Sequence, residues 1–255
     1  MQNFKMDSSL LKDTTILIVG ASRGIGRQVA KAYAKAGATV ILLARSIKQL
    51  EKVYDEIEEA SGPTPALYPF NLATATPKEY ETLSQTLDKH FGALSGIVLN
   101  AAMLGSLTPI EHYPIAQWYN VMQVNLNSHF LLIHYLLPLL KKAPRASIIF
   151  TGTDAKRREA KAYWGAYAVS KGGILSLMQL LADELETNTN VRVNSINPGR
   201  VNSPLFLEAY PGLNPQSLPS SESLLSLYLY LMSDESANIT GKTFELEKEY
   251  ADEYE

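Results

Sequence analysis

Val19-Gly20-Ala21-Ser22-Arg23-Gly24-Ile25-Gly26 is the stretch whose reading decides the fold. It is preceded directly by Thr15–Val19, TILIV, a short β-branched apolar run ended by glycine, which reads as a buried strand. It is followed by Gln28 to Ala36, patterned as a helix and stopped at Gly37. Three glycines spaced GxxxGxG allow a tight turn and close backbone approach. A helix N-terminus placed there offers free N–H groups to a pyrophosphate. Placement between a first strand and a first helix separates this reading from an ordinary glycine turn.

The same alternation continues outward. Strands are expected at Thr39–Leu43, Ala66–Phe70, Gly96–Leu99, Ala146–Phe150, Val191–Ile196 and Lys242–Leu246. Helices are expected at Ile47–Ala60, Pro77–Phe91, Ala116–Leu140 (ending near Pro138), Ala166–Glu186 and Glu222–Met232. A Pro-rich stretch runs from Pro198 to Pro219. Strands alternating with helices imply one α/β domain, a doubly wound parallel sheet with helices on both faces. The domain is expected over 14–247, with an N-terminal extension 1–13, a lid at about 201–221 and an acidic tail 248–255. Right-handed crossovers leave a ligand crevice at the carboxyl ends of the strands.

Composition narrows the function classes. Apolar residues at 46% and charged residues at 19% give a globular chain with a large core. A net charge of −3 argues against a nucleic-acid surface. With no cysteine, disulfides, thiolate catalysis and Cys-bound zinc are excluded. His90, His112, His129 and His134 lack metal-ligand spacing and read as satisfied structural residues. The apolar run Phe130–Leu140 is far short of the roughly 20 residues of a membrane span. Met1–Asp13 has no signal-peptide pattern, so a cytoplasmic protein is expected.

Two side-chain patterns point to chemistry. The second strand ends Leu43-Ala44-Arg45-Ser46, with no acid to bind ribose hydroxyls, while Arg23 lies in the glycine turn. Two guanidinium forks suit a 2′-phosphate, which favours NADP(H) over NAD(H). Tyr167 and Lys171 are four apart and share a helix face. An ammonium beside a phenol is expected to lower the phenol's pKa, so the pair could act as general acid or base.

Taken together, these features resemble the short-chain dehydrogenase/reductase family over nearly the whole chain. The glycine motif is similar to Val19–Gly26, with Val19 where the family has Thr. Leu99-Asn100-Ala101-Ala102 resembles the segment after the fourth strand, and Asn71-Leu72 the adenine-contacting pair after the third. Asn125 matches the structural Asn of the long fifth helix, and Pro198-Gly199-Arg200-Val201-Asn202-Ser203 the motif after the sixth strand. A YciK-like bacterial subgroup is the narrower likeness, through Tyr163–Tyr167 and Asn194–Gly199. The resemblance implies a Rossmann-type fold, a small carbonyl or alcohol substrate, and a homodimer or homotetramer. A subunit contact through the apolar helix around Phe130–Leu137 fits that implication. It also implies Asn125, Thr153, Tyr167 and Lys171 as the catalytic group. Its cofactor group is Gly20, Ser22, Arg23, Gly24, Ile25, Gly26, Arg45, Asn71, Leu72, Asn100, Ala101, Tyr167, Lys171, Pro198, Gly199, Val201 and Ser203.

Some positions depart from the family pattern. Thirteen residues before Tyr167, where the family carries its catalytic Ser, stands Asp154; a one-residue insertion before Trp164 puts Thr153 in that role. Ala102 adds a Cβ where the family has Gly. These changes keep two readings open: an active reductase, or a cofactor-binding protein without useful turnover. The substrate wall is expected from Tyr163, Trp164 and the lid residues Phe206, Leu207, Tyr210 and Leu213.

Overall fold

The computed structural model describes residues 7–152 and 161–245. Seven strands, β1 (Thr15–Val19), β2 (Thr39–Ala44), β3 (Ala66–Pro69), β4 (Gly96–Leu99), β5 (Ala146–Thr151), β6 (Val191–Asn197) and β7 (Thr243–Glu245), form one sheet. Their order is β3-β2-β1-β4-β5-β6-β7, and all six pairings are parallel. The direction of winding reverses between β1 and β4, so the crevice of a doubly wound sheet lies beyond Val19 and Leu99, which pair in register.

Alternating side chains along the strands separate two cores. Helices α1 (Gly24–Lys35), α2 (Ile47–Glu59) and α8 (Leu225–Met232) pack on one face, against Ile16, Ile18, Val40, Leu42 and Ile149. Helices α3 (Pro77–Phe91), α5 (Ser128–Lys142) and α6 (Gly165–Glu186) cover the other, against Leu17, Leu43, Ile97 and Phe150. Between α3 and α5 comes α4 (Ile115–Met122). Leu11, within the polar N-terminal stretch, is buried in the first core, and its N–H donates to the Ala36 carbonyl at 2.8 Å.

Three local features differ from the sequence expectation. The long helix does not end near Pro138; α5 runs through it to Lys142. Proline removes one backbone donor, but Leu136, Leu139 and Leu140 around it are buried, and that packing holds the helix. Secondly, α4 and α5 are joined by a π-turn, Gln123–Asn127, rather than by continuous α-helix. Thirdly, the Pro-rich stretch contains a short helix, α7 (Pro204–Ala209). Ser203 caps it by accepting from Phe206 N at 3.3 Å, and Pro204 occupies its first position. A parallel bridge between Asn202 and Ser220 closes the base of this lid.

Candidate active site

Glycine shapes the turn after β1. Gly20 has φ +86°, and a Cβ there would stand 2.9 Å from the Ala101 Cα. A Cβ on Gly26 would collide with the Gly20 carbonyl and meet Asn100 Nδ2 at 2.8 Å. The chain therefore bends into α1 with no room for a side chain at Gly20 or Gly26, which brings its backbone to the floor of the crevice. Arg23 occupies the N-cap of α1 without a side-chain cap, and the first turn holds no acid. The first N–H groups of α1 are thus left without a side-chain partner, and the positive end of the helix dipole is unopposed. Such a cradle fits a pyrophosphate.

Arg23 and Arg45 stand exposed at the rim, and neither forms an ion pair among the described residues. Arg27, one turn into α1, pairs instead with Glu56. Just after β3, Asn71 Oδ1 accepts from Ala73 N at 3.2 Å, and Leu72 is buried. Of the segment after β6, Gly199 has φ +60°, Val201 is buried, and Ser203 is spent on capping α7. Pro204 abuts the glycine turn: a Cβ on Gly24 would lie 3.0 Å from its Cδ.

Tyr167 and Lys171 emerge from the first turns of α6. Lys171 is buried, and its Nζ donates to the Thr151 carbonyl at 2.7 Å. The same Nζ lies 5.7 Å from the Tyr167 ring centre. Burial lowers the Lys171 pKa to about 8 and pushes the Tyr167 phenol up to about 12. The expected lowering of the phenol by its neighbouring ammonium is therefore not what the structure gives. Desolvation of the phenolate outweighs an ammonium that is itself desolvated and committed to a backbone carbonyl.

Asn125 sits in the π-turn and is buried. Its Oδ1 accepts from Met103 N at 2.9 Å, and its Nδ2 donates to Met103 O and to Ser170 Oγ, both at 3.0 Å. Ser170 Oγ in turn donates to the Tyr167 carbonyl at 2.7 Å. The Asn125 amide is thereby fully engaged in clamping the segment after β4 to the first turn of α6.

Of the residues expected to form a substrate wall, the structure groups Trp164, Phe206 and Tyr210 beside Tyr167, whereas Tyr163 and Leu213 stand exposed. Trp164 lies between Tyr167 and Tyr210, with ring centres 5.6 and 5.9 Å away, and Phe206 packs on Tyr210 at 4.9 Å. Lys161 Nζ lies 5.3 Å over the Tyr210 ring and donates to its hydroxyl at 3.3 Å, which ties the lid to the segment before α6. Beside this wall opens a cavity of about 280 Å³, lined by Ile110, Tyr163, Val169, Thr108 and Lys161. Thr153 and Asp154 lie outside the described residues.

Sequence reasoning missed two participants. Thr151, the last residue of β5, receives Lys171 and is bonded to Asn100 and Tyr228. His129 was expected to be a satisfied structural residue, but its buried ring nitrogens make no well-formed hydrogen bond among the described residues, only a weak interaction with the Ala101 backbone. Its only unusual mark in the sequence is a polar side chain on the buried stripe of α5. Burial, with the Lys171 charge adding to it, holds its pKa down at about 3.

A doubly wound sheet with a glycine cradle, a clamped Tyr–Lys pair and a capped lid defines a dinucleotide-binding α/β protein. Residues 14–212 match the short chain dehydrogenase family, and the chain belongs to it. It is 40% identical to the uncharacterized oxidoreductase YciK of Escherichia coli K12, over 95% of both chains. Among solved structures, a Pseudomonas syringae protein assigned as a short chain dehydrogenase shares 43% identity and superposes with a TM-score of 0.92. That match spans 95% of this chain and 98% of the other. A Shigella flexneri protein assigned the same way, and complexed with NADP, shares 40% identity with a TM-score of 0.90, over 94% and 99%. No described helix is long and apolar enough to cross a membrane.

Proposed function

We propose that the protein is an NADP(H)-dependent reductase or dehydrogenase acting between a carbonyl and its alcohol. The observation that carries this reading is the Tyr167–Lys171 pair. Lys171 is anchored on Thr151 at the end of a central strand, and Thr151 also touches Asn100 beside the glycine turn. The NADP complex of the Shigella relative supports the cofactor.

Hydride transfer is the chemistry a nicotinamide supplies when bound. The chain's own residues bind and position. Ser22, Gly24, Ile25 and Gly26 cradle the pyrophosphate through backbone N–H groups, and Gly20, whose own N–H is held by the Leu43 carbonyl, leaves the room for it. Arg23 and Arg45 take the 2′-phosphate, Asn71 and Leu72 border the adenine, and Asn100, Ala101, Pro198, Gly199, Val201 and Ser203 border the nicotinamide side. Tyr167 donates a proton to the carbonyl oxygen; a phenol held near 12 is protonated throughout the neutral range and is therefore ready as the acid. Lys171 holds ribose hydroxyls and stabilises the phenolate left after transfer. Thr153 supplies the hydroxyl that orients the carbonyl, and Asn125 is a positioning residue that sets the first turn of α6. Phe130 and Leu180 stand exposed on α5 and α6, which supports a homodimer or homotetramer through that face.

The test is NADPH oxidation measured against a panel of aldehydes and ketones. Turnover on any of them that is lost in Thr153→Ala supports the reading. Tight NADPH binding with no turnover on the panel favours the binding-protein alternative, which the changes at Val19 and Ala102 motivate.

A further inference from the structure

The hydrogen bonds at the carboxyl edge of the sheet extend past the Tyr–Lys pair to a tyrosine on the opposite layer of helices. Along β5, Ile149 faces the core of α1 and α8, and Phe150 faces the core of α5 and α6. The alternation of the strand turns the Thr151 side chain back toward α8. There its Oγ1 lies 2.7 Å from the Tyr228 hydroxyl and 3.2 Å from Asn100 Oδ1. From the other face, Lys171 Nζ reaches its main-chain carbonyl. One residue thus receives contacts from both layers.

Counting protons fixes the direction of each bond. A threonine hydroxyl has one proton, and an amide oxygen can only accept. Thr151 therefore donates to Asn100 Oδ1, and Tyr228 must donate to Thr151. The Asn100 amide is left with Nδ2 toward the Gly20 carbonyl, at 3.4 Å. The flipped amide would set two oxygens against each other. Tyr228 is anchored in turn, because Tyr33 of α1 donates to its carbonyl at 2.8 Å. Burial keeps the Tyr228 phenol protonated, as a donor must be.

We propose that Tyr228 and Thr151 form a hydroxyl relay that sets the cofactor cradle, through Asn100 and Gly20, in register with the lysine of the Tyr–Lys pair. Both are positioning residues, since neither is placed against substrate. The proposal rests on the cofactor reading above. It differs from simple satisfaction of buried hydroxyls in one respect: satisfaction changes stability alone, whereas the relay changes affinity for the cofactor.

The experiment titrates NADPH into wild type, Tyr228→Phe, Thr151→Val, Thr151→Ser and the double variant Tyr228→Phe/Thr151→Val. Thermal unfolding of each cofactor-free protein is followed in parallel. Removing one such hydrogen bond should weaken NADPH about three- to tenfold in Tyr228→Phe and in Thr151→Val. Thr151→Ser keeps the hydroxyl and should bind as wild type does. The double variant should bind no more weakly than Thr151→Val, because the tyrosine acts through the threonine. Unchanged affinity in Tyr228→Phe, or losses that multiply in the double variant, would overturn the relay while a tightly binding wild type leaves the cofactor reading intact. A wild type that binds no NADPH overturns both. Should Tyr228→Phe fail to fold, the two variants at Thr151 decide: equal affinity in Thr151→Val and Thr151→Ser overturns the relay, and a loss confined to Val supports it.

Discussion

The floor of the crevice and its rim are built on opposite terms. On the floor, Lys171, Asn125 and Thr151 are buried, and each is held by a named protein partner. At the rim, Arg23 and Arg45 stand in solvent without an ion pair among the described residues. Groups that must be placed to a fraction of an ångström carry their desolvation permanently. Groups that only need to meet an anion stay hydrated until it arrives. The floor should therefore govern rate, stability and overall cofactor affinity, and the rim should govern the choice between NADPH and NADH.

The contrast breaks most sharply at Tyr167. Tyr167→Phe removes one oxygen and leaves the clamps on Lys171 and Asn125 in place. Turnover on a verified substrate should fall by about 10²–10⁴-fold, with NADPH affinity nearly unchanged. Steady-state kinetics beside calorimetric titration check both halves, and full activity in the variant would remove Tyr167 from the chemistry.

The next effect lies in the acid limb of the stability curve. His129 has a folded pKa of about 3 against an ordinary value of 6.5, so the unfolded chain binds more protons between those pH values. Stability present above pH 6.5 is lost as pH falls toward 3, by on the order of 4 kcal/mol. His129→Leu should flatten that limb in urea unfolding measured from pH 7 to 4. An unchanged slope would show that carboxylates, not the histidine, set it.

Lys171 repeats the effect, with the same sign, on the alkaline side. Its pKa is lowered from 10.5 to about 8, so between those values the unfolded chain again binds more protons and stability rises with pH. The gain is about 3 kcal/mol at most, opposed above pH 10 by Tyr167, whose raised pKa works in the other direction. Lys171→Met should abolish the rise between pH 8 and 10, and the same unfolding series reads it.

The smallest effects belong to the rim. Arg23→Ala and Arg45→Ala should each weaken NADPH by about tenfold, a charge-assisted contact discounted for exposure, and leave NADH within about twofold. Equal losses for both cofactors would place the guanidinium groups away from the 2′-phosphate.

How much of this was legible follows from the range of the signals. The bounds of β1, β4 and α3 are those read from the sequence. For α3, the Thr76/Glu79 capping box, Pro77 and Gly92 are all local marks. The start of α1 is four residues earlier than read, because Gly24 and Gly26 look like turn residues. Gly26 is helical, and it is glycine because of the Gly20 carbonyl beneath it. The Tyr–Lys pair was readable because four residues make one helical step. The Thr151–Tyr228 bond joins positions 77 apart and leaves no periodic trace. The π-turn and the weakly held His129 were equally invisible, since both depend on what packs around them.

That π-turn is the slack in the helix's reading frame. Its five-residue closure over Gln123–Asn127 means the chain carries one residue more than an α-helix would need there. Each residue advances an α-helix by about 100°. Val121 before the turn and Leu132, Leu136 and Leu139 after it are all buried, so the turn takes up its extra residue locally and the stretches on both sides keep an apolar face to the core. Deleting one residue between 123 and 127 would close the turn to plain α-helix and leave the downstream stripe facing the core, at the cost of the geometry that places Asn125. A residue inserted in α5 itself, with no such turn to absorb it, would swing the chain beyond it by about 100° and bring its apolar stripe round to water. The turn is thus the place in this stretch where a change of length by one residue can be absorbed, and the helix after it is where it cannot.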